Sequence, residues 1–259
     1  MPFNIYSIIY FIQYKTSGEV FMFFDGRSYL KRVKFGEETE SEVKLIQENL
    51  IFENKWIKFY NDSVKFPNGT TSNFLRLETP GRDGTVVVAV RPATSEIAVV
   101  KQYRYAPGLW MVEFPRGFAN SGDVSGIMTG WRELLEETGQ IAAFDGIFLG
   151  RLVTDSGKLG DAPFLALLEV RTEVTGEPIA PQPDETEVLA PEKYGYWVKY
   201  CDLKDWVERG YIIDSFTCAA MARIAPHFDS EGRYQPNWAL IEEPNLADAE
   251  RLFGKRGEK

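Results

Sequence analysis

The sequence predicts an α/β fold of mixed type, in which strands and helices follow one another without strict βαβ alternation, preceded by antiparallel β modules. Three observations carry this. Short runs rich in valine, isoleucine and aromatics recur at 85–91, 96–103, 110–114, 144–152, 163–170 and 194–200. A run over 126–138 has an apolar side, Ser125 before it as a capping residue and Gly139 after it as a stop. Hairpin signals Asp25-Gly26 and Asn68-Gly69 lie upstream of both.

Taken in order, residues 1–36 read as a three-stranded meander over about 3–14, 19–24 and 28–35. The apolar run at its start is too short to span a bilayer and has no basic residue before it, so neither a membrane span nor a secretory signal is expected. Acidic residues 37–44 read as a linker or short helix. Residues 50–78 alternate, and Asn68-Gly69 joins two strands there. Runs 85–91 and 96–103 flank a turn at Pro92–Ser95, and Pro115 ends the strand 110–114. In the helix 126–138, Ile127, Met128, Trp131, Leu134 and Leu135 form the side that packs on the sheet.

Between strands 144–152 and 163–170, the stretch Asp155-Ser156-Gly157-Lys158-Leu159-Gly160 is a glycine-containing loop. Prolines and acids keep 172–188 irregular. A helix over 202–210 stops at Gly210. Ser215 caps a second helix, 216–225, which Pro226 ends. In the tail 227–259, Asn245 caps a short amphipathic helix to Phe253.

Composition narrows the function. Apolar content of 44% with 26% charged residues is that of a globular chain. A net charge of −9 argues against nucleic acid as the main partner. The two cysteines, Cys201 and Cys218, support neither a disulfide framework nor structural zinc, and fit a reducing cytoplasm. The one histidine, His227, follows Ala-Pro at a helix end and reads as a surface or capping residue.

The chemistry concentrates in 113–140. Glu133, Glu136 and Glu137 stand three and four apart, so a helix puts all three carboxylates near one face. Arg132, four before Glu136, neutralises part of that charge. What remains is an oxygen-rich site suited to Mg²⁺ or Mn²⁺. The bland alternative is a solvated acidic helix face.

Gly117, a five-residue gap, Asp123, then Arg132-Glu133-Leu134-Leu135-Glu136-Glu137-Thr138-Gly139 resembles the Nudix box. The pattern departs at Asp123, where the family has Glu, at the eight rather than seven residues before Arg132, and at Gln140 in place of an apolar residue. Lys101-Gln102-Tyr103-Arg104 and Glu113–Gly117 resemble the ADP-ribose pyrophosphatase group of that family. The resemblance implies an α/β/α sandwich over about 84–226. It implies a small antiparallel sheet within 37–83 that serves homodimerisation.

It also implies hydrolysis of a nucleoside diphosphate linked to X, an ADP-sugar such as ADP-ribose, to a nucleoside monophosphate and a phosphorylated X. Glu133, Glu136, Glu137 and the main-chain carbonyl of Arg116 would ligate metal. Arg104, Arg116 and Glu113 would meet substrate, and Glu185 or Glu187, in the loop before the last strand, or Glu136, would act as base. The 155–160 loop either lies near such a site or serves only as a turn. Trp56, Tyr60, Phe66 and Phe74 either stack on a base or, in preference, enter the core. Two other classes stand beside the enzyme: a non-catalytic nucleotide-sugar sensor on the same fold, and an interaction protein whose residues 1–35 dock a partner.

Overall fold

The computed structural model describes residues 38, 40–79, 84–123, 125–143, 146–171, 178–183, 187–190 and 195–237. The expected meander of 1–36 and the tail helix to Phe253 lie outside the described residues.

Among the described residues the strands form two sheets, of which the first is antiparallel. Its long hairpin is β3 (Lys58–Lys65) and β4 (Thr71–Glu78), paired along their full length and turned at Gly69, whose φ of 85° is open to glycine. Two further strands, β1 (Lys44–Gln47) and β2 (Leu50–Glu53), lie end to end along the other edge of β3. The acidic 37–44 stretch thus runs into a strand. Arg76 holds this sheet together from within: it stacks 3.9 Å over the Tyr60 ring and bonds Asp62 (2.8 Å) and Glu48 (2.9 Å). Of the four aromatics expected in a core, only Tyr60 is buried; Phe74 and Trp56, the latter in the turn between β2 and β3, are exposed.

The second sheet is mixed. Strand β5 (Gly84–Arg91) pairs in parallel with β10 (Phe164–Glu169), which pairs antiparallel with β9 (Gly146–Arg151). On the other side, β6 (Glu96–Arg104) pairs antiparallel with β5 and with β11 (Tyr196–Lys199). Both faces of this sheet are covered, which is why β5 reads as an unbroken apolar run. Val86, Val88 and Val90 face one cluster with Leu165, Leu167 and the helices α2 (Tyr200–Glu208) and α3 (Ser215–Ile224). Val87, Ala89, Ala166 and Leu168 face the other, with Ile127 and Leu134 of helix α1 (Gly126–Thr138). The result is the α/β/α sandwich.

Strands β5 and β6 pair only near their shared turn, at Val90–Ile97 and Arg91–Glu96. Beyond it they part. The chain fills the gap with β7 (Leu109–Glu113) on β6 and β8 (Arg116–Phe118) on β5, and Val87 N–H closes the seam on the Pro115 carbonyl at 2.8 Å. The 155–160 loop meets the first sheet, with Leu77 N–H on the Lys158 carbonyl and Gly160 N–H on the Leu77 carbonyl.

Two expectations are corrected here. Asp214, not Ser215, caps α3, because its carboxylate accepts from Thr217 N–H at 2.8 Å. His227 is buried, and its Nδ1 accepts from Asn237 N–H at 3.0 Å.

Candidate functional site

Helix α1 starts where Ser125 accepts from Met128 N–H at 3.2 Å and ends at Gly139, whose φ is 70°. Between them the helix brings its acids against the β7–β8 turn. Arg132 is the hub. Its Nη1 lies 2.7 Å from both Glu133 and Glu136, and its Nη2 bonds the Phe118 carbonyl (2.6 Å) and Asp123 (3.1 Å). Asp123 therefore does reach the helix: the longer loop brings the shorter acid in, and the same oxygen accepts from Asn120 N–H at 2.8 Å. Burial opposes the Arg132 charge, but Glu133, Glu136 and Asp123 outweigh it and hold the guanidinium above its ordinary value.

Gly117 allows the close packing. A Cβ there would fall on the Glu133 carboxylate. One turn on, Glu137 Oε2 accepts from Arg116 N–H at 3.3 Å, while its buried Oε1 has no hydrogen-bond partner. Burial pushes the Glu133 carboxyl up to about 8, with Glu136 and Glu187 adding to it against the pull of Arg132. Burial, Glu187 and Glu133 push Glu137 well above the usual carboxylate range, against Arg104 and the Arg116 amide. Gln140 takes the apolar residue's place literally, buried with both side-chain polar atoms unpaired.

The substrate-side candidates also converge. Glu113 is fully buried and holds two guanidinium groups: Arg104 through Nε (3.0 Å) and Nη2 (2.6 Å), and Arg116 through Nη2 (2.9 Å). Burial works against the Arg104 charge, but the Glu113 carboxylate raises its pKa overall. Arg116 continues to Asp214 at 3.2 Å and lies 4.5 Å over the Phe216 ring.

Residues 187–190 run along β6, with Tyr103 N–H on the Val188 carbonyl (2.9 Å) and Ala190 N–H on the Lys101 carbonyl (2.8 Å). That register sets Glu187 opposite Arg104. The Glu187 charge is felt by both Glu133 and Glu137, so it joins the helix acids. Glu185 lies outside the described residues. Sequence reasoning missed Asp214 and Phe216 as neighbours of the site. Their only signal was an Asp at a helix start, which says nothing of a distant arginine.

Among the described residues, no three Asp, Glu, His or Cys side chains are gathered into a ready ion site. The donor set still fits a hard cation: oxygens alone, one of them buried and unpaired on Glu137, and more carboxylate than Arg132 can neutralise. No helix among the described residues is long and apolar enough to cross a membrane.

The chain is similar to several known proteins. An ADP-sugar pyrophosphatase of Mus musculus is 34% identical over 114 residues, covering 40% of this chain and 52% of that protein. A methanol dehydrogenase activator of Bacillus methanolicus is 36% identical over 98 residues, covering 38% of this chain and 51% of that protein. The chain thus spans about half the length of these relatives. A crystal structure of an ADP compounds hydrolase superposes with a TM-score of 0.62 at 16% identity, covering 76% of this chain and 99% of that one, and so shares the fold. The Nudix domain model matches residues 81–216, more than half of the sequence, and the chain belongs to the Nudix family.

Proposed function

We propose that the chain hydrolyses the diphosphate bond of a nucleoside diphosphate joined to a sugar, with an ADP-sugar such as ADP-ribose as the leading candidate and Mg²⁺ or Mn²⁺ as the cofactor. The observation that carries this reading is the Glu137 carboxylate: buried, bonded on one oxygen to Arg116 N–H, unpaired on the other, and beside Glu133 and Glu187. A buried carboxylate so placed is costly in its charged form unless a cation completes it, and otherwise holds its proton. The matched ADP-sugar pyrophosphatase supports the substrate class.

Glu133, Glu136, Glu137 and the Arg116 carbonyl would hold the metal. A divalent ion bound there lowers the pKa of its water and offsets phosphate charge. The protein's own groups do the rest. Arg104, kept charged and aligned by Glu113, grips a phosphoryl oxygen, with Arg116 beside it. Glu187, opposite Arg104, accepts the proton from the attacking water. Phosphorus–oxygen cleavage then leaves a nucleoside monophosphate and a sugar phosphate.

The test is a panel of ADP-ribose, GDP-mannose, other nucleotide sugars, dinucleoside polyphosphates and nucleoside triphosphates with Mg²⁺, products resolved by phosphorus NMR. Metal-dependent release of a monophosphate from a nucleotide sugar is expected. Faster hydrolysis of dGTP or ATP than of every nucleotide sugar refutes the substrate class. Binding of a nucleotide sugar without turnover selects the sensor.

The homodimer belongs to the same reading. Exposed Phe52 on β2 and Leu75 on β4 share the face of the first sheet opposite Tyr60, an apolar surface that a second copy would cover. Light scattering of a Phe52→Glu variant checks it: a dimer that dissociates supports the contact, and an unchanged mass rejects it.

A further inference from the structure

We propose that Asp214 is a positioning residue for this reaction, acting through Arg116; the inference rests on the proposed function. Asp214 divides its two oxygens between two tasks. Oδ2 accepts from Thr217 N–H (2.8 Å) and from the Thr217 hydroxyl (2.7 Å), which is the N-cap of α3. Oδ1 faces Arg116 Nη1 at 3.2 Å. A cap needs only the first oxygen, and Ser, Thr or Asn supplies it nearly as well. A carboxylate adds a second, charged oxygen, and that oxygen is spent on Arg116.

Arg116 is where such a hold matters. Its main chain lies in β8, opposite Val86, and its N–H bonds the catalytic helix at Glu137. Its guanidinium is gripped by Glu113 (2.9 Å) from its own hairpin and by Asp214 from α3, with Phe216 beneath it. A second link runs parallel: Phe114 N–H donates to the Thr217 hydroxyl at 3.0 Å. The start of α3 thus clasps residues 114 and 116, on either side of Pro115. Glu113 places Arg104 and Arg116 on one carboxylate. Fixing Arg116 from the far side with Asp214 keeps it aligned beside Arg104 in the phosphate grip.

The experiment uses the full chain and a nucleotide-sugar analogue with an unhydrolysable α,β-methylene bridge, titrated calorimetrically with Mg²⁺ present. Asp214→Ser keeps the cap and removes the charged oxygen. It should leave the melting midpoint close to wild type and weaken analogue binding roughly tenfold, within the coupling found between contacting residues of one ion-pair network. In an Arg116→Ala background the same change should alter binding less than about twofold, because its route is gone. Asp214→Asn, which keeps both size and cap, should behave as Asp214→Ser does.

Equal weakening in both backgrounds, no weakening at all, or loss of folding in both Asp214 variants overturns the proposal. A wild-type chain that binds no analogue and cleaves no nucleotide sugar removes the proposed function, and this inference with it. Wild-type binding that ignores Asp214 removes the inference alone.

Discussion

Gly117 and Glu133 share one volume: the glycine, on β8, lacks a Cβ at the place where the helix carboxylate lies. Gly117 is there for this close approach, since it does not have a left-handed φ. Gly117→Ala should therefore spare the fold and displace the acid. Because the displaced atoms are the end of a flexible side chain, the stability loss should stay within about 1 kcal/mol. Turnover should fall about 100-fold, as for an ångström-scale misplacement of a reacting group. Denaturant midpoints and initial rates measured together check it, and a fully active Ala variant removes Glu133 from the site.

Glu137→Gln tests the metal assignment. Glutamine keeps the shape and can still accept from Arg116 N–H. It removes a charge that burial already disfavours, so the unfolding midpoint should not drop by more than about 1 kcal/mol. With Mg²⁺ present, turnover should fall about 100- to 1,000-fold, as for loss of one preorganised charge. Near-native turnover in this variant would sink the assignment.

The helix was legible in the sequence because its signals are local. Ser125, Gly139 and the three-and-four spacing of the acids all act within a few residues, and each sits as its position implies. So were β3–β4 and their Asn-Gly turn, and the buried run of β5. What stayed hidden depends on contacts between distant segments. Nothing near Asp214 announces Arg116, and nothing near Glu113 says that one buried carboxylate will hold two arginines. The His227 neighbourhood is likewise closed by Gln235 and Asn237, beyond the helix end from which a surface position was inferred. Strands β1 and β2 escaped notice because they pair on an edge and bury little.

Glu187→Gln distinguishes the two loop carboxylates. Glu187 perturbs both Glu133 and Glu137, so it stands within electrostatic reach of the helix acids. Its Gln variant should lose turnover about 100-fold, within the range of general base catalysis, while Mg²⁺ affinity by calorimetry changes little. Glu185→Gln should remain the faster of the two. Full rate in both single variants and in the double variant moves the base elsewhere, to Glu136 on the helix.

His227 supplies a prediction about stability against pH. Burial lowers its pKa below the ordinary 6.5. The geometry agrees, since protonating Nδ1 would remove the acceptor for Asn237 N–H. As pH falls below 6.5, the unfolded chain takes up a proton that the folded imidazole refuses. The unfolded state then binds more protons, and folding stability drops with falling pH. The contribution is intact above the unfolded value and lost as pH falls toward the folded one, with a slope of at most about 1.4 kcal/mol per pH unit. Urea titrations of the wild-type chain and a His227→Gln variant at pH 7.5 and pH 5 isolate it, because the acids common to both proteins cancel in the difference. The wild type should lose more stability than the variant between those two conditions. A difference that does not change with pH means that the folded histidine protonates as readily as the unfolded one, and that its burial carries no electrostatic cost.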